Sequence, residues 1–272
     1  MKRTGILLIM AALCCLLLAF CCALLSFLPL LLQDGGKMSK SKGNVLYADD
    51  LVSVYGVDAV RYYVLDNMPF DNDGLISWQL ITDKVNSELA NVYGNLVKRT
   101  IAMSEKYFDG VVARSGVSEP LDDELKTMAT STYSKVSAFM EEFRIADAID
   151  TVFSLLRRAN KYVDETAPWV LAKDEAKLPR LKEVLYNLTE IIAMSASMLS
   201  PFMPETSAKI LSQINCEERK FSDLDKFGLY PDGNRVSENA EVVFARLDLA
   251  EVEKKAEEIR NKYIVKEEPE EE

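Results

Sequence analysis

Residues 77–103 read SWQLITDKVNSELANVYGNLVKRTIAM, and this stretch decides the fold class. Ile81, Val85, Leu89, Val92, Leu96 and Met103 fall at the spacing that lines one face of an α-helix. A long helix opening at Ser77 must bury that stripe against other elements.

The chain beyond it supplies them. A loop with Gly110, Gly116 and Pro120 covers 109–120. Leu121, Leu125, Met128, Val136, Phe139 and Phe143 form the apolar face of a second helix. Ile149, Val152, Leu156, Ala159 and Val163 form a third, interrupted by Pro168. Leu181, Leu185, Leu188, Ile192, Ala196 and Leu199 form a fourth. Pro179 fits the first turn of that helix, and Pro201 and Pro204 bound its far end. Four long amphipathic helices joined by modest loops describe a mainly α protein, an antiparallel helix bundle. A shorter helix over 206–214, a turn-rich loop over 228–234, a polar helix over 248–263 and the acidic tail EEPEEE follow.

Towards the N-terminus, Asp49 or Asp50 caps a short helix that ends at Gly56. Residues 57–67 place Val57, Val60, Arg61 and Val64 at helical spacing, and 68–74 is a loop with Pro69. Ahead of these lies DGGKMSKSKGNV, residues 34–45. Lys37, Ser39, Lys40, Ser41 and Lys42 crowd one loop bounded by Gly35, Gly36 and Gly43. Ammonium and hydroxyl donors on a backbone that bends easily suit a phosphate chain whose charge grows during a reaction. The plainer reading is a solvated basic loop.

Residues 1–33 are a separate object. Lys2 and Arg3 precede an uncharged apolar run over 5–32. It exceeds the roughly 20 residues needed to cross a bilayer. Two readings stand: a single membrane-spanning helix ending near Pro29, or a stretch foreign to the rest of the chain left by fusion or a gene-model error.

Composition excludes several chemistries. The 272 residues contain no histidine, so imidazole bases, His–metal sites and Ser–His or Cys–His pairs are absent. Cys14, Cys15, Cys21 and Cys22 lie in the apolar run, Cys216 stands alone, and no C-x-x-C pair exists to hold zinc. The net charge of -11 argues weakly against non-specific nucleic-acid binding while permitting a local basic grip.

Three groups suit recognition. Asn91, Asn95 and Arg99 lie on the first long helix, with Asn95 and Arg99 four apart on one face. Amide and guanidinium forks read the edges of unpaired bases. Tyr162, Pro168 and Trp169 lie in NKYVDETAPWVLAK, where a tryptophan at a helix end can stack a splayed base. Asp58, Arg61, Tyr62 and Tyr63 suit a structural role behind the lysine loop. Each group also admits an ordinary surface or core reading.

KMSKS over 37–41 resembles the signature loop of class I aminoacyl-tRNA synthetases. GVDAVRYYVL, NSELANVYGNLVKRT, YVDETAPWVLAK and PFMPETSAKI resemble the methionyl-tRNA synthetase family in that family's order, and VVFARLD resembles its closing stretch. The resemblance covers about 34–248. It implies that Asn95, Arg99 and Trp169 read the CAU anticodon of tRNA(Met). It implies that Lys37 and Lys40 are catalytic, and that Lys37, Ser39, Lys40 and Ser41 bind ATP, with Mg2+ accompanying the nucleotide in the complete enzyme and no zinc held by this chain. It divides the chain into the apolar segment 1–33, a KMSKS loop and stem-contact module over 34–75, an anticodon-binding bundle over 76–248, and a polar helix and acidic tail over 249–272. A cytoplasmic location follows from the family; the apolar run raises membrane association through 5–32.

The family's nucleotide-binding Rossmann half, its His-containing signature and its zinc-knuckle insertion would precede KMSKS, where this chain has only the apolar segment. The expectation is a truncated methionine–tRNA ligase, inactive alone and restorable by a separately encoded N-terminal half. The alternatives are a membrane-tethered, non-catalytic tRNA-binding module, and a bundle whose synthetase-like residues are relics.

Overall fold

The computed structural model describes residues 31–33, 36–38, 45–68, 73–238 and 240–264. Lys40, Ser39 and Ser41 lie outside the described residues, as does the apolar run up to residue 30. Past Pro29, where the expected helix ends, the chain is extended. β1 (Leu31–Gln33) pairs antiparallel with β2 (Gly36–Lys37), Leu32 opposite Lys37, and parallel with β3 (Gly74–Leu75), Leu32 opposite Leu75. Leu31 and Leu32 therefore belong to the middle strand of a small sheet of order β2-β1-β3. Among the described residues no helix is long and apolar enough to cross a membrane.

α1 (Ala48–Tyr55) and α2 (Val57–Asn67) follow the expected bounds, divided at Gly56, whose φ of 82° is in the region glycine favours. Asp49 and Asp50 lie in the first turn of α1 instead of capping it, where their charge still complements the helix dipole. In α2 the buried face is Ala59, Val60, Tyr62 and Tyr63, while Val57 and Val64 are exposed. The tertiary partner selected the aromatic face over the valine stripe.

The long helix from Ser77 is not uniformly α. Ser77 caps it by accepting the Leu80 N–H at 3.1 Å. α3 (Trp78–Lys84) passes into a π-helical segment, Val85–Gly94, and then into α4 (Asn95–Phe108). β4 (Val111–Val112) lies in the expected loop and pairs antiparallel with β5 (Asn234–Arg235).

α5 (Pro120–Glu141) and α6 (Ile145–Thr166) form an antiparallel hairpin. The start of α5 meets the end of α6 where Arg158 bonds Glu124 at 2.9 Å. Phe143, expected on the apolar face of α5, lies in the connecting turn at φ 58° and is 76% exposed. In α6, Ile149, Val152, Leu156, Ala159 and Val163 are all fully buried. The single turn α7 (Pro168–Leu171) follows Ala167, which adopts the left-handed conformation at φ 45°.

α8 (Leu178–Leu199) is the axis of the bundle, packed by α4, α5, α6, α7 and α9 (Pro204–Gln213). The expected stripe is buried, and so is the opposite side. Arg180, Glu183, Asn187 and Glu190, which recur at helical spacing, all lie inside. Burial of such groups requires partners. Asp122 on α5 takes both nitrogens of Arg180 at 2.7 Å and the Tyr162 hydroxyl at 2.6 Å. Glu183 accepts the Ser115 and Gly116 N–H groups at 2.9 Å. Glu190 accepts Arg219 bidentately and the N–H groups of Gly228, Leu229 and Tyr230. The loops around 115 and 228 are thus fastened down onto the axial helix by its own carboxylates. α10 (Leu249–Ile264) packs against α3 and α1.

The module ahead of the bundle is tied to it by the group around Asp58. Arg61 donates to the carbonyls of Phe202 at 3.0 Å and Pro201 at 2.9 Å. Asp58 accepts the Thr206 N–H in the first turn of α9 at 2.6 Å. Tyr63 donates to Leu75 O at 2.8 Å, holding β3 and through it β1.

Candidate nucleic-acid interface

The structure brings Arg99 and Trp169 together. The Arg99 guanidinium lies over the indole, 6.0 Å from its centroid, and its Nη2 is 3.3 Å from Asp164 Oδ1. Trp169 is 43% exposed, while Pro168 beside it is buried. Pro168 opens α7 and is buried, Ala167 before it is left-handed, and the indole of Trp169 remains partly exposed. Asn91 and Asn95 are exposed on the same helix. The result is an exposed face with an amide, a guanidinium and an aromatic plane, the donor set that unpaired bases accept.

Sequence reasoning passes over Asp164, although it sits in the quoted stretch. Both members of its pair with Arg99 are solvent-accessible, with side-chain exposures of 32% and 66%. Such a pair contributes roughly 0–1 kcal/mol. It orients the guanidinium at little energetic cost.

Tyr162 does not join this face. It is fully buried, with its hydroxyl donating to Asp122 and accepting from Asn187 Nδ2 at 3.3 Å. Burial, reinforced by the Asp122 carboxylate, pushes its phenol well above the usual range. Its place is in the polar network under the site. The Asp122 carboxyl shows the balance in that network. Burial alone would raise its pKa, yet hydrogen bonds from Arg180, Tyr162 and the Glu119 N–H hold it below the usual carboxylate value.

The lysine loop is described only at its entry. Lys37 lies in β2, opposite Leu32. Among the described residues no cluster of acidic, cysteine or histidine side chains stands in position to hold a metal ion. A polar cavity of about 610 Å³ lies elsewhere, lined by residues such as Asn215, Cys216, Arg219 and Asn234. Burial raises the Cys216 thiol, which disfavours the reactive thiolate.

Comparison with known proteins gives these features a family. Residues 25–101 match the model of class I tRNA synthetases (M), and residues 112–264 match the anticodon binding domain of methionyl tRNA ligase. A methionine–tRNA ligase of Clostridium perfringens is 48% identical over 221 residues, covering 81% of this chain and 34% of that protein. One from Clostridium acetobutylicum is 49% identical over 229 residues, covering 84% and 35%. Among solved structures, Mycobacterium tuberculosis methionyl-tRNA synthetase in complex with methionyl-adenylate superimposes with a TM-score of 0.75 at 32% identity, covering 80% of this chain and 43% of that one. The chain spans about a third of the length of these curated relatives. With one model covering more than half of its residues and the other the lysine-loop module, the chain belongs to the methionyl-tRNA synthetase family.

Proposed function

We propose that this chain serves the ATP-dependent attachment of methionine to tRNA(Met) by recognising the CAU anticodon on its helix bundle. Asn95 and Arg99 read base edges and Trp169 stacks an unpaired base. The observation that carries this reading is the convergence of Arg99 and Trp169, from different helices, on one exposed face. The match to the anticodon binding domain of methionyl tRNA ligase over 112–264 supports it on the side of Trp169, while Asn95 and Arg99 lie within the synthetase match over 25–101.

In this reading 34–75 carries the KMSKS loop and a stem-contact module. Lys37 and Lys40 neutralise the triphosphate while methionine attacks the α-phosphate, with Ser39 and Ser41 adding donors and Mg2+ accompanying ATP. The complementary catalytic chemistry belongs to the family's Rossmann half, in the same polypeptide or in a partner chain. Work on the family's substrates would take place in the cytoplasm.

A filter-binding titration tests the proposal. The chain should hold a methionine tRNA transcript more tightly than the same transcript with an altered first anticodon base. Equal retention of both would overturn it.

A further inference from the structure

The apolar stripe read from the sequence runs Val85, Leu89, Val92, Leu96 and Met103, and Arg99 falls on that same line at steps of three and four. An uninterrupted α-helix would therefore turn Arg99 towards the core. The structure departs from this. In the π-helical segment the buried residues are Val85, Leu89, Ala90 and Tyr93, and in α4 they are Leu96, Val97, Thr100, Ile101 and Ser104. Val92 and Arg99 are only half-buried, and Asn95 is exposed. Leu96 stays buried, but Tyr93, Thr100 and Ser104 take the inward places that the stripe assigned to Val92, Arg99 and Met103. A π turn closes its hydrogen bonds over i→i+5 and so absorbs about one extra residue; here the Asn95 N–H reaches back to Ala90 O and is shared with Val92 O.

One side chain from another helix holds the end of that segment. Asn160, half-buried on α6, donates through Nδ2 to Val92 O and to its own helix at Leu156 O, each at 3.0 Å. Val92 lies three residues before Asn95. Asn160 lies one turn before Asp164, the partner of Arg99.

We propose that the π-helical segment sets the phase that presents Asn95 and Arg99, and that Asn160 is the positioning residue that holds it. This rests on the anticodon reading above. Asn160 touches no base; it acts through the backbone of residues 92–95. A wholly structural asparagine would influence stability alone. A positioning one influences discrimination between anticodons.

The test uses the full chain, a methionine tRNA transcript and the same transcript with its first anticodon base changed. Asn160→Ser keeps a hydroxyl that can bond Leu156 O, four residues back, but is too short to span to Val92 O. Asn160→Leu keeps the approximate size and loses both bonds. Each variant is expected to bind the CAU transcript about tenfold more weakly, the consequence of losing one well-placed interaction, and to lose most of the preference over the altered transcript. In a Trp78→Phe background, where Trp169 is the remaining tryptophan, Asn160→Ser should shift the emission as Arg99→Ala does. Preference and emission unchanged in the folded Asn160→Ser chain, while Arg99→Ala abolishes preference, would overturn this inference and leave the anticodon reading standing. No effect of Arg99→Ala would overturn both.

Discussion

Arg99 rests over the ring of Trp169, joining the middle of one long helix to the single turn that follows another. Neither residue is buried: Arg99 is half-buried and Trp169 is exposed. Two groups that share no local structure are thus presented as one surface. The packing of α4 and α6 on the axial helix sets their separation.

That contact predicts a separation of binding from stability. Trp169→Ala should weaken binding of a CAU-bearing transcript by about 1–3 kcal/mol, the usual range for a stacked base. Its thermal midpoint should change little, because the indole is 43% exposed. Fluorescence anisotropy with labelled transcript, together with a melting curve, checks both parts.

Asp122 should behave in the opposite way. Asp122→Asn leaves Arg180 and Tyr162 buried with a weaker acceptor, and breaking a buried pair costs about 3–5 kcal/mol. Urea denaturation should register that loss, while anticodon preference in the folded population is retained. The wild-type chain should also lose stability in acid. The folded carboxyl titrates below its unfolded value of about 3.9. The unfolded chain therefore takes up its proton first. The stabilisation is complete above about pH 4 and fades as pH falls through the lowered folded value. Asp122→Asn should flatten that acid limb.

Glu190 gathers Arg219 and three consecutive backbone N–H groups. Glu190→Gln keeps the size but removes the charge and one acceptor oxygen. It should cost about 2–4 kcal/mol. Hydrogen exchange at Gly228, Leu229 and Tyr230 should accelerate more than at α6, whose core does not depend on this loop.

Arg61 supplies the two hydrogen bonds to the turn before α9. Arg61→Ala should lower stability by about 1–2 kcal/mol. Limited proteolysis should then cut the region 45–75 before the bundle, with anticodon binding preserved.

The sequence by itself determined the bundle. The stripes at 149–163 and 181–199 reported which residues face inward, because periodicity is a property of a single helix. It also put Asn95 and Arg99 on one side and marked Trp169 beyond a proline. Only tertiary structure decided the rest. Arg180, Glu183, Asn187 and Glu190 have the spacing of a solvated face, yet loops and a neighbouring helix cover them, and those partners lie far away in the chain. Tyr162 and Trp169 look alike as aromatics of one stretch, but Asp122 holds the first inside and Ala167 turns the second outward. The π segment is not legible because each of its residues is acceptable in an α-helix; only the fold shows Tyr93 and Val97, each one residue past the stripe, buried in the core. Leu31 and Leu32 read as the end of an apolar run until Gly74 and Leu75 gave them a strand to pair with. Local spacing states which side chains travel together, and only distant contacts state which of them meet water.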